Sequence, residues 1–308
     1  MNDILILLAA YDGGRHIEEQ IESVLAQSCE DWQLILSDDG DLTGDILQEY
    51  AKKYSGRIIH YKSGRRFGSA PRHFMHLLKN FHDADYIMFC DQDDVWHPDK
   101  IKKTLVVMKE IEGSKKKPAM VHTDLRVVDE ELNELDASFW HYSNISGDSL
   151  SLNRLLVQNV VTGCTMMINK ALAKLVCRNI PADDILMHDG WIALVASLFG
   201  RIGVVNEALI DYRQHTGNVV GAKNVRSGKY IKARLKGGAI KRSMKDAVRQ
   251  AGQLIECFGE SMTQEQFEVV EALAGIEEKG KLERIRTYNR YGLRKQSFIR
   301  RVGQLLWW

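Results

Sequence analysis

The sequence has few features of secreted, zinc-binding or membrane-spanning proteins. Its 308 residues include five cysteines, an odd number with no pair at zinc-site spacing (Cys29, Cys90, Cys164, Cys177 and Cys257). We therefore expect free thiols in a reducing compartment. No run reaches the roughly 18 apolar residues of a membrane span, and no basic segment precedes the first apolar stretch. The expected location is the cytoplasm, with the inner face of the cell membrane as a second option.

Two common phosphate-binding sequences are also absent. After the first apolar stretch the chain reads Tyr11-Asp12-Gly13-Gly14, which is not the G-x-G-x-x-G fingerprint of dinucleotide-binding folds. No Walker A sequence occurs. Basic segments are present, but no nucleic-acid recognition motif accompanies them, so nucleic acid is not an expected partner.

The composition is that of an ordinary globular protein with an uneven distribution of charge. Hydrophobic residues make up 44% and charged residues 27% of the chain, and this length suits one large domain with an appendage or two domains. The net charge of +1 conceals two basic segments. Residues 221–249 contain ten Lys/Arg and one acid, and residues 281–308 contain eight Lys/Arg and one acid. The front of the chain is therefore acidic and the back basic.

Strand-type apolar stretches alternate with helical patterns over the first hundred residues. The predicted strands are Ile4–Ala10, Trp32–Leu36, Arg57–Tyr61 and Tyr86–Cys90, with helices near 17–25, 43–53 and 70–80 between them. Further predictions are helices over 98–111, 150–158, 170–178 and 187–199, and strands over 120–129, 162–168, 202–205 and 208–212. This order is typical of an α/β fold with a Rossmann-like, mostly parallel sheet flanked by helices.

Two predicted strands end in acidic loops. Ser37-Asp38-Asp39-Gly40-Asp41 follows the second strand, and Asp91-Gln92-Asp93-Asp94 follows the fourth. The carboxyl ends of parallel strands meet at one edge, where ligands bind. Like charges this close raise one another's pKa unless a cation neutralises them, and Mg²⁺ and Mn²⁺ prefer carboxylate and phosphate oxygens. The cluster therefore indicates a metal site that holds a diphosphate. The alternative is an acidic loop with a helix N-cap.

The order of these segments resembles family 2 glycosyltransferases with the GT-A fold, in particular the bacterial subgroup with rhamnosyltransferases of cell-surface polysaccharide synthesis. The matching segments are 7–13, 21–27, Ser37–Gly40, Phe89–Trp96, Thr162–Thr165, His188-Asp189 and Tyr212–His215. They lie in the family's order over residues 4–220. Three positions depart from the family pattern: Asp41-Leu42-Thr43 follows Gly40, His73 stands where many relatives have Asn, and Gly190-Trp191 follows Asp189.

The resemblance implies a GT-A catalytic domain over residues 1–220 and a basic helical C-terminal region over 221–308. It also assigns residues to the donor. Asp39 is expected to contact a pyrimidine base, beside the turn from Ala10 to Asp12. The full set of expected donor-binding residues is Ala10, Tyr11, Asp12, Asp39, Asp91 and Gln92.

The same resemblance implies a metal site and a catalytic base. Asp91 and Asp93 form its Asp-x-Asp motif for Mg²⁺ or Mn²⁺, and His215 is a third expected ligand, with a loop histidine without a role as the alternative. Asp189 is the expected general base, which takes a proton from the acceptor hydroxyl. A helix cap is the alternative for Asp189, and Asp94 is the second candidate for the base.

The expected activity is metal-dependent inverting transfer of a sugar, L-rhamnose in this subgroup, from a dTDP- or UDP-linked donor. The acceptor is expected to be a polysaccharide or a lipid-linked saccharide. A sugar-nucleotide nucleotidyltransferase and an inactive sugar-nucleotide-binding subunit are the alternatives.

Amphipathic helices with basic faces are predicted in 221–308, the first around Tyr230, Ile231 and Leu235. Such helices suit a peripheral contact with a membrane surface, and the terminal Trp307-Trp308 adds to that signal. A solvated helical bundle or an oligomer contact is the alternative.

Overall fold

The structure is a computed structural model that describes residues 3–14, 16–40, 42–178, 185–215 and 237–308, without the side chain of Trp307. The predictions for Asp41 and for a helix around Tyr230, Ile231 and Leu235 lie outside the described residues. The chain divides into two compact units, Met1–Phe139 with Val161–Gly221 and Trp140–Val160 with Ala222–Trp308. These units differ from the predicted domains, 1–220 and 221–308, chiefly by residues 140–160, and the predicted domains remain a prediction of functional boundaries.

The first unit contains one mixed sheet with helices around it. Its strands are β1 Ile4–Ala10, β2 Trp32–Asp38, β3 Ile58–His60, β4 Tyr86–Cys90, β5 Val95–Trp96, β6 Ala119–Val128, β7 Glu134–Asp136, β8 Met167–Asn169 and β9 Arg201–Arg213. Its helices are α1 Ile17–Leu25, α2 Gly44–Lys53, α3 Ala70–Phe81, α4 Lys100–Glu112, α7 Lys170–Cys177 and α8 His188–Phe199. The short helix α5 Phe139–Tyr142 contains residues assigned to both units, since the division along the chain falls after Phe139. The α/β prediction is confirmed.

The front half of the sheet has the predicted parallel order. Strands β3, β2, β1 and β4 are neighbours in that sequence and all pair in parallel. Every residue of β4 is buried, as are all but one of β1. Continuous apolar runs of this kind are expected where helices cover both faces of a sheet.

The back half of the sheet is mixed. Strand β8 is antiparallel to both β4 and β6, β5 is antiparallel to β9, and β7 is antiparallel to β6. Only β6 and β9 pair in parallel there, with register shifts around Asp124. The sheet is therefore less uniformly parallel than predicted, because the segments after β4 do not continue the β-α-β alternation.

Three predicted elements differ from the structure. The two short strands predicted at 202–205 and 208–212 are a single strand, β9. The strand predicted over 162–168 is a 3₁₀ turn, Gly163–Thr165, followed by β8. The helix predicted over 150–158 is confined to α6, Leu152–Leu155.

The second unit is helical. Besides α6 it contains α9 Gly238–Phe258, α10 Gln264–Ala274, α11 Lys281–Tyr291 and α12 Phe298–Trp307. Its buried apolar side chains include Ile240, Met244, Leu254, Val270, Leu273, Ile276 and Leu293. No described helix is long and apolar enough to cross a membrane.

Candidate active site

The loops after β1, β2 and β4 meet at one edge of the sheet. Ala10 pairs with Asp38 across β1 and β2, and Leu8 pairs with Cys90 across β1 and β4. All three strands run in the same direction, so their carboxyl ends bring the following loops together. The expectation that the two acidic loops share an edge is confirmed.

Gln92 joins the loop after β4 to the loop after β1. The main-chain N–H of Tyr11 donates to Gln92 Oε1 at 2.7 Å, and Gln92 Nε2 donates to the Tyr11 carbonyl at 3.1 Å. A Cβ at Gly13 would lie 2.9 Å from Gln92 Oε1, so a side chain there would displace the amide of Gln92. The amide of Gln92, predicted to bind the donor, thus holds the turn that presents the exposed ring of Tyr11.

Asp12 and Gly40 form a second connection between loops. Asp12 adopts a left-handed conformation with φ of 47°, and its Oδ1 accepts a hydrogen bond from the Leu42 N–H at 3.1 Å. A Cβ at Gly40 would lie 2.1 Å from Asp12 Oδ1. The two loops therefore approach each other only because residue 40 has no side chain.

The carboxylate of Asp39 binds main-chain amides. Phe67 N donates to Oδ1 at 2.5 Å and Gly68 N donates to Oδ2 at 2.7 Å, and the residue is buried. This fixes the segment before α3 against the loop after β2. Each carboxylate oxygen has a second lone pair for another donor, and a contact between Asp39 and a pyrimidine base stays a prediction.

His73, one of the departures from the family pattern, is part of the support under this loop. Its Nε2 lies 2.8 Å from Ser37 Oγ, and its ring stacks on Phe67 with 4.8 Å between centroids. Burial lowers the pKa of His73 to about 4, so the ring is neutral. The histidine is thus accommodated by a buried hydrogen bond to Ser37 of β2, the strand that precedes Asp39.

The acidic residues after β4 raise one another's proton affinity. Burial, followed by the charges of Asp93 and Asp189, raises the pKa of Asp91 to about 7. Burial and the charges of Asp93 and Asp91 raise the pKa of Asp94 well above its usual range. The structure therefore brings Asp189, about a hundred residues later in the chain, into the electrostatic field of the Asp-x-Asp motif.

Cys164 lies between two of these carboxylates. Ligand atoms of Asp91, Asp94 and Cys164 are all within 4.8 Å of one another. Burial, then the charges of Asp94 and Asp91, raise the pKa of the Cys164 thiol well above its usual range. The thiol stays protonated and hydrogen-bonds to Asp94. A neutral thiol is a poor ligand for a hard cation, so Cys164 is a neighbour of the carboxylates rather than a metal ligand.

His215, the third predicted metal ligand, pairs with Asp93. Its Nε2 lies 2.7 Å from Asp93 Oδ2, and both side chains are largely buried. Its ring is 5.9 Å from that of His16 between centroids. Of the three predicted ligands, Asp93 and His215 are thus in direct contact, and Asp91 is their electrostatic neighbour.

Arg213 belongs to the segment Tyr212–His215, which matches the family pattern, but the sequence alone predicts no role for it. The structure places it at the centre of the site. Its main-chain N–H donates to Asp94 Oδ1 at 3.3 Å and its Nε donates to the Asp93 carbonyl at 2.9 Å. The guanidinium also donates to the Glu130 carbonyl and to Glu19 Oε2. The side chain is 2% exposed. A lone cation at the end of an apolar strand was the available sequence signal for this role.

Lys100 is a second residue that sequence reasoning missed. It is fully buried at the start of α4, and its Nζ lies 3.6 Å from the centroid of the Trp96 ring. Burial lowers the pKa of Lys100 to about 8, while Cys164, Cys90 and Asp94 act in the opposite direction. Lys100 therefore places a buried amine behind the acidic loop, held by a cation–π contact whenever it is charged.

Asp189 opens α8 with its carboxylate held by main-chain amides. Its carboxylate accepts hydrogen bonds from the N–H groups of Gly190 and Gly163, and the residue is 7% exposed. Burial raises the pKa of Asp189 to about 6, against the effect of these amides. Met187 is the N-cap of α8 and Asp189 lies inside its first turn, so the cap alternative is wrong. The base hypothesis stays a prediction, for a carboxylate that these amides orient and that is ionised at neutral pH.

His188 packs beneath Asp189 as a neutral aromatic ring. Its centroid lies 4.4 Å from that of Phe74 and 5.4 Å from that of Phe89. Burial lowers its pKa to about 3, and neither ring nitrogen has a hydrogen-bond partner among the described residues. A Cβ at Gly163 would lie 2.6 Å from His188 Nε2. The ring therefore packs directly under the turn that donates to Asp189.

The donor set fits a hard divalent cation. Carboxylates of Asp91 and Asp93 and the imidazole of His215 offer oxygen and nitrogen ligands. Burial and then the repulsion from Asp93 and Asp189 raise the pKa of Asp91, and a bound cation would favour the ionised carboxylate against both. The predicted ligands thus offer donor atoms that suit Mg²⁺ or Mn²⁺, and the metal site stays a prediction.

Comparison with known proteins identifies relatives. Residues 5–175 match the family model described as "Glycosyl transferase family 2". Among curated proteins, the chain is 28% identical over 235 residues to "dTDP-rhamnosyl transferase RfbG" of Shigella flexneri, covering 72% of this chain and 76% of the relative.

Solved structures show the same fold at low identity. S. aureus TarS 1-349 in complex with UDP-GlcNAc superposes with a TM-score of 0.55 at 14% identity, covering 94% of this chain and 92% of that one. The mannosyltransferase PcManGT of Pyrobaculum calidifontis, in complex with GDP-Man and Mn²⁺, superposes with a TM-score of 0.52 at 14% identity, covering 99% and 87%. The fold is that of the GT-A glycosyltransferases, as predicted.

Proposed function

Because the chain belongs to glycosyl transferase family 2 and is therefore a glycosyltransferase, we propose that it is a metal-dependent inverting enzyme. Its donor is a nucleotide-diphosphate sugar, dTDP-L-rhamnose first and UDP-hexoses second. Its acceptor is a polysaccharide or a lipid-linked saccharide at the inner face of the cell membrane. The rhamnosyl donor is supported by the relative from Shigella flexneri, whose name states that activity.

One observation supports the mechanism: after burial and the charge of Asp93, the charge of Asp189 on α8 also raises the pKa of Asp91 on the loop after β4. Asp189 and Asp91 are held by different parts of the chain, which suits one role as a base and another in binding the diphosphate. Asp189 is held by the amides of Gly190 and Gly163, and Asp91 lies beside Asp93. The first is the candidate base, and the second belongs to the group that holds the diphosphate.

Asp189 would deprotonate the acceptor hydroxyl. The oxygen attacks the anomeric carbon on the side opposite to the nucleotide, and the bond from that carbon to the diphosphate breaks. A single displacement of this kind inverts the configuration and needs one base. A pKa of about 6 leaves Asp189 mostly ionised at pH 7 and still basic enough to accept a proton. Asp94, the second candidate, has a pKa raised well above its usual range and is fully buried, which favours Asp189.

The remaining residues would stabilise the leaving group, the nucleoside diphosphate. Asp91, Asp93 and His215 would hold Mg²⁺ or Mn²⁺, which neutralises charge that develops on the departing diphosphate. Arg213 keeps Asp93 and Asp94 in position through its bonds to that loop. Tyr11, presented by Gln92, and Asp39 are the proposed contacts to the nucleoside.

Release of the nucleotide tests the proposal. Purified protein is incubated with dTDP-rhamnose, UDP-glucose or UDP-GlcNAc in Mn²⁺ or Mg²⁺, with and without a lipid-linked or polysaccharide acceptor. Acceptor-dependent release of nucleoside diphosphate supports transfer. The variant Glu110→Gln, at an exposed position of α4, should release it as the wild type does. Formation of nucleoside triphosphate and sugar 1-phosphate when pyrophosphate is added in place of the acceptor would indicate a nucleotidyltransferase instead. Donor binding without turnover in any acceptor would indicate an inactive binding subunit.

A further inference from the structure

Helix α12 turns its apolar side toward solvent. Phe298 is 80% exposed, Leu306 57%, Ile299 40% and Leu305 39%. At about 100° per residue, these four positions and Val302 fall within an arc of about 120°. A surface helix of a globular protein normally buries such a stripe against the core. The arrangement in α12 is the reverse.

The opposite side of α12 is fixed against the rest of the second unit. A Cβ at Gly303 would lie 2.3 Å from Ile240 Cδ1, so α12 approaches α9 at this glycine. Gln304 is buried, accepts from Lys295 N at 3.0 Å and donates to the Leu293 carbonyl at 2.9 Å. These contacts set the rotation of the helix about its axis, and the apolar side cannot turn inward without breaking them.

The part of the chain that carries this exposed stripe is rich in basic side chains. Arg301 is exposed on α12 itself, and Arg294 is exposed on the segment before it. Residues 281–308 contain eight Lys/Arg and one acid. On α11, the side chain of Leu282 is 74% exposed. Arg284 of the same helix donates to the main-chain oxygen of Trp308 at 2.8 Å, which brings the start of α11 to the end of α12.

An exposed apolar stripe with a basic rim matches the surface of an anionic bilayer. The apolar side chains suit the boundary between headgroups and acyl chains, and the arginines suit the headgroup charge. A helix of ten residues is about 15 Å long, which suits a helix that lies in the interface rather than across it. Two copies of this chain meeting through the same face would bring two strongly basic surfaces together, which disfavours a dimer contact.

We propose that the outward face of α12, formed by Phe298, Ile299, Val302, Leu305 and Leu306, docks the protein on an anionic lipid bilayer. The face lies in the plane of the interface, with Arg294 and Arg301 at the headgroups. This inference needs neither a donor nor a metal. Its outcome is therefore separate from that of the proposed transfer reaction.

Vesicle flotation of the full chain tests the docking face. Vesicles contain either phosphatidylcholine alone or phosphatidylcholine with about one third phosphatidylglycerol. The wild-type protein is expected to float with the anionic vesicles, and the double variant Phe298→Ser/Leu306→Ser is expected to lose at least tenfold in partitioning. Val106→Ser, which removes a 54% exposed apolar side chain on α4, is the matched control and should float as wild type does. Circular dichroism checks that each variant keeps its helices.

The charge contribution is tested with Arg294→Gln/Arg301→Gln and with salt. Binding to anionic vesicles should fall several-fold in this variant and in 0.5 M NaCl, whereas binding to neutral vesicles should be weak throughout. Unchanged flotation of Phe298→Ser/Leu306→Ser would overturn the proposal. Sedimentation velocity tests whether a second copy of the chain binds this face instead. The proposal would also be overturned if the wild-type protein were a dimer, the same double variant were a monomer, and neither floated with vesicles.

Discussion

Replacing Asp189 with Asn is expected to stop transfer and, at the same time, to stabilise the metal-free protein. Asn has nearly the shape of Asp and keeps one oxygen for the amides of Gly190 and Gly163. It cannot ionise, so it cannot take the proton of an acceptor hydroxyl. Loss of a general base lowers turnover by about 10² to 10⁴.

The gain in stability follows from the raised pKa of Asp189. Burial raises that pKa from 3.8 to about 6 in the folded protein. An acid whose pKa is higher in the folded than in the unfolded state opposes folding when ionised. This opposition is fully present above pH 6 and disappears as the pH falls below 3.8.

Two pKa units correspond to about 3 kcal/mol of unfolding free energy. The amide nitrogen of Asn cannot accept the second main-chain hydrogen bond, which costs about 1 to 2 kcal/mol. The net gain at pH 8 is therefore expected to lie between about 1 and 2 kcal/mol, because the lost hydrogen bond subtracts from the first figure. At pH 4 the gain disappears and the lost hydrogen bond leaves the variant slightly less stable.

Urea unfolding in EDTA at pH 4 and pH 8 measures this difference. Glu110→Gln removes a charge from an exposed site on α4 and is the control for the general effect of charge on stability. Turnover is measured as nucleotide release at pH 8 with Mn²⁺. The reasoning would be refuted if Asp189→Asn changed stability equally at both pH values, or if its turnover stayed within tenfold of wild type.

Substitutions at three further positions and removal of the metal test other parts of the site. Arg213→Met should lower the free energy of unfolding by at least about 2 kcal/mol, since it removes a buried cation whose guanidinium has three hydrogen-bond partners; Arg213→Lys should recover part of the loss. Gly40→Ala should weaken nucleotide binding about tenfold, because its Cβ collides with Asp12; calorimetry showing unchanged affinity would count against this loop contact. Gln92→Leu removes both hydrogen bonds to the first loop and should raise the donor Kd about 5- to 30-fold. EDTA should abolish turnover and Mn²⁺ or Mg²⁺ restore it; full activity in EDTA would remove the metal from the proposal.

The front half of the fold was predictable because its segments carry strong local signals. Strands β1 and β4 are apolar runs buried on both faces, and α1 and α3 have apolar residues at helical spacing. Strand β9 was predicted as two pieces because Asn206 and Glu207 interrupt its apolar residues. These two are exposed where the register with β6 shifts. The long-range pairing with β6 keeps the strand continuous across polar residues that would end it locally.

Within the site, sequence patterns indicated the acidic residues but not their supports. The expectation for Gln92 was a donor contact, yet its amide is paired with the main chain of Tyr11. Arg213 and Asp93 are far apart in sequence, and only the pairing of β9 with β5 and β6 brings Arg213 to the acidic loop. Lys100 lies on the buried side of α4, where a lysine in a helical stripe is an unusual but ambiguous signal.

The sequence by itself determined the reaction class and the α/β order of the catalytic unit, because motifs and hydrophobic periodicity are local properties of a chain. Only the tertiary structure decided that the apolar stripe of α12 faces solvent, that the charge of Asp189 reaches Asp91, and that Arg213 holds the acidic loop. These facts depend on contacts between residues distant in the chain, and the burial and electrostatics of a side chain are set by those contacts rather than by its neighbours in sequence.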